Sequence, residues 1–257
     1  MSQDKIPGRQ DIKPLPRHTL EGAFSRHFAY QDGDGKPLLR RRPLPDPAWQ
    51  ERIKSNMDQW DFDKHGGTIT VRSEEEIHSF VAKALQAGLR VLPVASDAAG
   101  GSLAPYLENA VTLEACLKSA SDEDARRVVA ELFDDISKAH QAGIVYGDRW
   151  YNNILVDPER GVVNIDFDFK LDGPGKELDL AQEIFFTIAL DRNRTPNTLI
   201  PLLKNMREDH DFTLVKEFVE TKERRSREKY GDLSGVFKDF FEQLDRSDKH
   251  PVPSSGL

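Results

Sequence analysis

Of the 257 residues only one is cysteine, Cys116, so no disulfide can close within the chain. No apolar run approaches the roughly 18 residues that would suggest a membrane-spanning helix, and no signal-peptide pattern opens the chain. Positive charge is in deficit. Against 44 Asp and Glu there are 36 Lys and Arg, a net charge of −8, which argues against an extended nucleic-acid footprint though not against a local basic patch. A Gly-x-Gly-x-x-Gly phosphate loop is missing, and no internal repeat is present. What is there is a chain of 38% hydrophobic and 31% charged residues, long enough for one large domain or two small lobes around a cleft. A cytoplasmic location is expected.

The informative stretch lies between residues 140 and 179. It reads as a helix end, a loop, a β-hairpin, a second loop and the start of a buried helix. Asp148 falls in the loop, Asn153 opens the first strand, and Asp166 follows the second, Val162-Val163-Asn164-Ile165. The turn Asp157-Pro158-Glu159-Arg160-Gly161 folds one strand back on the other, which brings Asn153 and Asp166 to the same open end, near Asp148. Singly, these are turn-capping residues. Together they form the minimal kit for phosphoryl transfer: a carboxylate to accept a hydroxyl proton, with an Asn and an Asp to hold Mg²⁺ against phosphates.

The Asp148-x-x-x-x-Asn153 spacing followed by Asp166-Phe167-Asp168 resembles the catalytic and metal-binding segments of the protein-kinase-like superfamily. The resemblance covers about residues 103–190. It departs from the pattern at Tyr146, where His is usual, at Trp150, where protein kinases carry Lys, and at Asp168, where Gly is usual. No Ala-Pro-Glu segment follows, and a short loop broken by Gly173-Pro174-Gly175 leads to the next helix. In these respects the chain is most similar to the lipopolysaccharide-sugar (Kdo) kinases, and also to the threonylcarbamoyl-complex kinases and the aminoglycoside phosphotransferases.

The resemblance implies an α+β, bilobal protein-kinase-like fold, with a small mixed α/β N-lobe and a mostly helical C-lobe. It implies Asp148 as the base, Asn153 and Asp166 as metal ligands, and Asp168 as a reach toward a second metal or the substrate. Asp179 would hold the catalytic loop by its backbone, with His140 anchoring it. Tyr106, Leu107 and Glu108 would lie in the hinge that meets adenine. A phosphate-holding Lys has no clear counterpart: Lys36 and Arg72 are the candidates, with Glu75 or Glu76 as the paired acid. Glu76 also has a local role, because Ser73-x-x-Glu76 is a capping box.

The rest of the chain supplies elements. Residues 1–18 are polar and proline-spaced and read as a flexible leader. Residues 24–42 read as a hairpin about Asp32-Gly33-Asp34-Gly35, ending in the charged run Arg40-Arg41-Arg42. A short helix is expected over 48–57, a strand at Thr68-Ile69-Thr70-Val71, a helix ended by Gly88, and a strand over 89–94. The domains expected are 19–105 as N-lobe and 106–246 as C-lobe, with a disordered tail over 247–257. The run from Lys222 to Lys229 reads as a solvated helix face.

The function expected is ATP- and Mg²⁺-dependent phosphotransfer to a hydroxyl, of a small molecule or glycan rather than a protein. The alternatives are a pseudokinase that binds nucleotide without turnover, and an atypical protein Ser/Thr kinase. No nucleic-acid partner and no membrane span are expected.

Overall fold

The computed structural model describes residues 13–21, 25–31, 34–43, 49–97 and 101–249. It is a mixed α+β chain. Strands β1 (Lys13–Glu21), β2 (Ser25–Gln31) and β3 (Pro37–Pro43) run antiparallel. The β2–β3 hairpin pairs Tyr30 with Leu38 and Phe28 with Arg40, as its turn residues suggested. Strand β1 is a correction, since residues 13–18 were expected in the leader. Its prolines, Pro14 and Pro16, lack N–H donors, but β1 is the sheet edge, where that omission is tolerated. Residues 1–12 lie outside the described residues.

Helix α1 (Trp49–Trp60), longer than expected, leads through a 3-10 turn to β4 (Thr68–Val71) and α2 (Glu74–Gln86). Both halves of the α2 capping box form. Ser73 Oγ accepts the Glu76 N–H at 3.2 Å, and a Glu76 carboxylate oxygen accepts the Ser73 N–H at 2.7 Å. The strand expected over 89–94 is reduced to one bridge, Val91 with Asn164, and β5 is only Ala95–Ser96. The reason is local. Pro93 has no N–H, while the Arg90 amide donates to Asp135 and its carbonyl accepts from Asn164. Strand β6 (Ser102–Pro105) completes a five-stranded antiparallel sheet of order β1-β2-β3-β6-β5.

The remaining chain is mostly helical. Strand β7 (Val111–Thr112), α3 (Leu113–Ser119) and α4 (Asp122–Gln141) precede the hairpin of β8 (Ile154–Asp157) and β9 (Gly161–Asn164). Then follow β10 (Phe169–Asp172), α5 (Gly175–Leu190), α6 (Thr195–Lys204), α7 (Phe212–Tyr230) and α8 (Ser234–Lys249). Helix α8 continues through 247–249, where a disordered tail was expected; the residues beyond lie outside the described part. No helix among the described residues is long and apolar enough to cross a membrane.

One large core gathers α3 to α8. Its centre is Phe185 with Phe186, and Trp60, the last residue of α1, and Phe62, in the turn after it, pack into it. So α1 and its turn join the helical core although the sequence places them between two strands of the N-terminal region. A smaller core joins α2 (Ile77, Val81) to Tyr146 and Phe167. Strand β4 pairs with β10 rather than with the five-stranded sheet, in the register Val71 with Phe169 and Thr68 with Asp172.

Candidate functional site

A cavity of about 350 Å³ lies between the five-stranded sheet and the β8–β9 hairpin. Its walls are apolar, with Leu92, Ala104, Leu107, Leu155 and Ile165, and Tyr106 and Glu108 border it on the segment after β6. Its polar end is formed by Arg41, Asp166 and Asp168. The lining suits an apolar group inside and a charged group at the mouth.

Arg41 organises the polar end. On β3, alternation places Leu39 and Arg41 on the face that lines the cavity. The guanidinium reaches Glu74 on α2 at 2.5 Å and also pairs with Asp168. Glu74 accepts in addition from Ser102 Oγ at 2.5 Å. The residues that the sequence offered for holding phosphate lie elsewhere. Lys36 is exposed in the β2–β3 turn, and Glu76 is committed to its cap. Arg72 is buried and turned to the backbone, donating to the carbonyls of Val145, Tyr146, Phe167 and Phe169. Glu75 is exposed. Alternation along Leu39-Arg40-Arg41 was the one signal that pointed to Arg41; nothing local separated Glu74 from its two acidic neighbours.

The catalytic-loop candidates do come together. Asn153 Nδ2 donates to the Asp148 carbonyl at 3.2 Å, and the Asn153 carbonyl accepts from Ile165 N–H at 2.9 Å, one residue before Asp166. Asp166 has φ 61°, a left-handed conformation that a non-glycine residue holds only under constraint. Asp179, fully buried at the start of α5, accepts the N–H groups of Tyr146 at 2.6 Å and Gly147 at 2.8 Å. His140 Nε2 lies 3.4 Å from the same carboxylate. Gly147 has φ 103°, and a Cβ there would run into the Phe169 carbonyl, so the residue before Asp148 must be glycine.

Tyr146 stacks on Phe167, centroids 6.0 Å apart, and its hydroxyl donates to Asp135. Asp135 also accepts from Asn164 Nδ2 at 2.7 Å, and Asn164 Oδ1 accepts from buried Arg149 at 2.6 Å. Arg149 pairs with Glu183 at 2.7 Å. This buried network supports the loop from beneath, and burial pushes Glu183 up to about 7.

Burial first, then the charges of Asp168 and Asp179, push Asp148 up to about 6, against hydrogen bonds from Asn153 and the Trp150 N–H. Asp168 rises to about 7 through burial and the nearby Asp166, with Arg41 opposing. Asp166 also rises, again mainly through desolvation; its exposure to the cleft lets solvent moderate the shift.

Among the described residues, no group of three or more His, Cys, Asp and Glu side chains is arranged to hold a metal. Magnesium asks for less than that, because it commonly keeps one or two carboxylates and takes its other oxygens from phosphates and water. One observation fits such an ion: the buried Asp168 Oδ2 receives no N–H or O–H donor, and its carboxyl lies against that of Asp166, a pairing that needs a proton or a cation between the two. No protein-family model matches the chain, and no curated protein matches it.

Proposed function

We propose that this chain is an ATP- and Mg²⁺-dependent phosphotransferase with a bilobal, protein-kinase-like architecture. The observation that carries the reading is Arg41, which bridges Glu74 and Asp168 at the mouth of an apolar cavity whose polar end continues to Asp166, Asn153 and Asp148. Adenine would occupy the apolar part, against Leu92 and Ala104, and the phosphates would extend to Arg41. Asp166 and Asn153 would hold Mg²⁺, with Asp168 Oδ2 in reach; the ion would neutralise phosphate charge. Asp148 accepts the proton of the acceptor hydroxyl. A carboxylate near 6 is largely ionised at neutral pH yet basic enough to share that proton as the bond forms.

The acceptor is a small-molecule or glycan hydroxyl. Support comes from β10: the segment after Asp168 is consumed in pairing with β4 and then enters α5, leaving little platform for an extended peptide.

A second reading is a nucleotide-binding pseudokinase. It is favoured by the double engagement of Arg41, which already has two carboxylate partners, and by an acid at position 168. Tyr146 does not favour it, because its ring and hydroxyl are absorbed in packing.

The test combines thermal-shift titration of ATP, with and without Mg²⁺, with phosphate consumption across a panel of hydroxyl acceptors. Asp148→Asn should lower turnover by about 10²–10⁴-fold while ATP stabilisation persists. Wild-type turnover should fall as pH drops through about 6, where Asp148 takes up a proton. ATP binding without turnover would favour the pseudokinase. Protein labelling lost in Asp148→Asn would overturn the small-molecule acceptor.

A further inference from the structure

Helix α7 contains Lys222-Glu223-Arg224-Arg225-Ser226-Arg227-Glu228-Lys229, a run whose composition suggests only a solvated face. Its sides differ. Glu223 is buried and pairs with Arg227 at 2.9 Å. Lys222, Arg225 and Lys229, at i, i+3 and i+7, turn the other way, toward the end of α1 and the loop after Asp148. Arg225 is neutralised by Asp61.

Lys222 and Lys229 are not neutralised. Lys222 is buried, with its ammonium 5.2 Å from the Trp60 ring centre and 5.7 Å from that of Phe186. It donates to Gln59 Oε1, one acceptor for three N–H donors. Lys229 is exposed and lies 4.7 Å over Trp150. Neither ammonium forms an ion pair with a carboxylate of the described residues. Burial, then the repulsion of Lys229, brings Lys222 down to about 8, while Asp148 pulls it upward. Lys222 thus sits within electrostatic reach of both the second cation and the catalytic carboxylate. Beside the two lysines, Trp150 stacks on the buried Phe186 at 6.2 Å with the planes 14° apart, so that Trp150 is the exposed aromatic surface of the pair.

Building on the phosphotransferase reading, we infer that this corner is the acceptor subsite and that it takes a hydroxyl compound carrying an anionic group, a carboxylate or a phosphate. The anion lies between Lys222 and Lys229, the body of the molecule lies against Trp150, and the hydroxyl points to Asp148. An anion there relieves two like charges, one of them held out of water, which a neutral acceptor cannot do. Two ammonium groups act as point charges, so they accept either kind of anion without demanding a planar fork.

The test titrates the full chain at low ionic strength with three probes: glucose, glucose 6-phosphate and glucuronate. The readouts are thermal shift and calorimetry. At least one anionic probe should bind at millimolar concentration and glucose should not; the two anions separate phosphate from carboxylate recognition. Lys222→Met and Lys229→Met should each weaken that binding by about tenfold or more, while Lys216→Met, on the same helix but paired with Glu220, should not. Arg41→Met should leave probe binding unchanged, which excludes anions lodging at the nucleotide-phosphate end. Absence of anionic binding, equal binding of glucose, or indifference to both lysine changes would overturn the inference. ATP is titrated in parallel. If ATP binds and the probes do not, only the subsite falls. If ATP does not bind, the phosphotransferase reading falls, and the acceptor role with it, whatever the probes do.

Discussion

The two walls of the cleft are held by different means. On the side of the loop that carries Asp148, the restraints end on backbone atoms: Asp179 on the N–H groups of Tyr146 and Gly147, Arg72 on four carbonyls, and Gln182 on the Arg149 N–H at 2.9 Å. On the sheet side, the polar contact with the other wall is Arg41 held between two carboxylates, both at side-chain tips. Backbone-directed bonds from buried side chains fix the path of the loop whether or not a ligand is present. A charge bridge at the mouth of a cavity can exchange partners with an incoming phosphate, because the groups it joins are ions that other ions replace. The geometry at Asp148 is therefore preorganised, and that at Arg41 is adjustable.

The sharpest way to break this contrast is Arg72→Met. Methionine keeps the apolar stem but orphans several buried carbonyls, each costing about 1–3 kcal/mol, so a loss of about 3 kcal/mol or more in denaturant unfolding is expected. A loss under about 1 kcal/mol would mean that the loop is not hung from Arg72.

Arg41→Met should cost less stability, about 1–3 kcal/mol at neutral pH, because Glu74 keeps its bond from Ser102 and Asp168 can take up a proton, being already raised to about 7. Its larger effect falls on ligand: the thermal shift produced by ATP should shrink or vanish. A variant with the full ATP shift would remove Arg41 from the phosphate end.

The smallest effect carries an informative sign. Asp148 has a folded pKa of about 6, above its unfolded value of 3.8. Between those values the folded state binds more protons, so stability falls as pH rises through about 4 to 6, and above that window the ionised, desolvated carboxylate exerts its full cost. Asp148→Asn should consequently stabilise the fold above pH 6 by about 1 kcal/mol after allowance for solvent screening, and by nothing near pH 4. Unfolding curves at the two pH values check it. A destabilised variant at high pH would show that the carboxylate contributes to the loop rather than straining it.

Much of this molecule was legible locally. The hairpin of β8 and β9, the cap of α2 and the buried start of α5 all depend on residues within a few positions of each other, where turn chemistry and helical spacing decide. For the same reason the sequence alone groups Asp148, Asn153 and Asp166, since one tight hairpin brings them together. Edge strand β1 was missed because its prolines argue against a strand in general, and only its place at the sheet edge makes them harmless.

What tertiary structure decided was every partnership made across long separations. In sequence Arg72 was a candidate for the phosphate-holding cation and Arg41 was only part of a charged run. Arg41 faces a cavity because strand alternation on a particular sheet points it there; Arg72 is buried under the loop because β4 leaves that sheet to pair with β10. Lys222 looked like one more charge in a solvated run until α1 and α5 closed on it with Gln59, Trp60 and Phe186. Charge, spacing and turn residues determine which groups a chain can offer and which short-range sets they form. Desolvation and the pairing of distant ions depend on which surfaces meet, and that is settled only when the whole chain has packed.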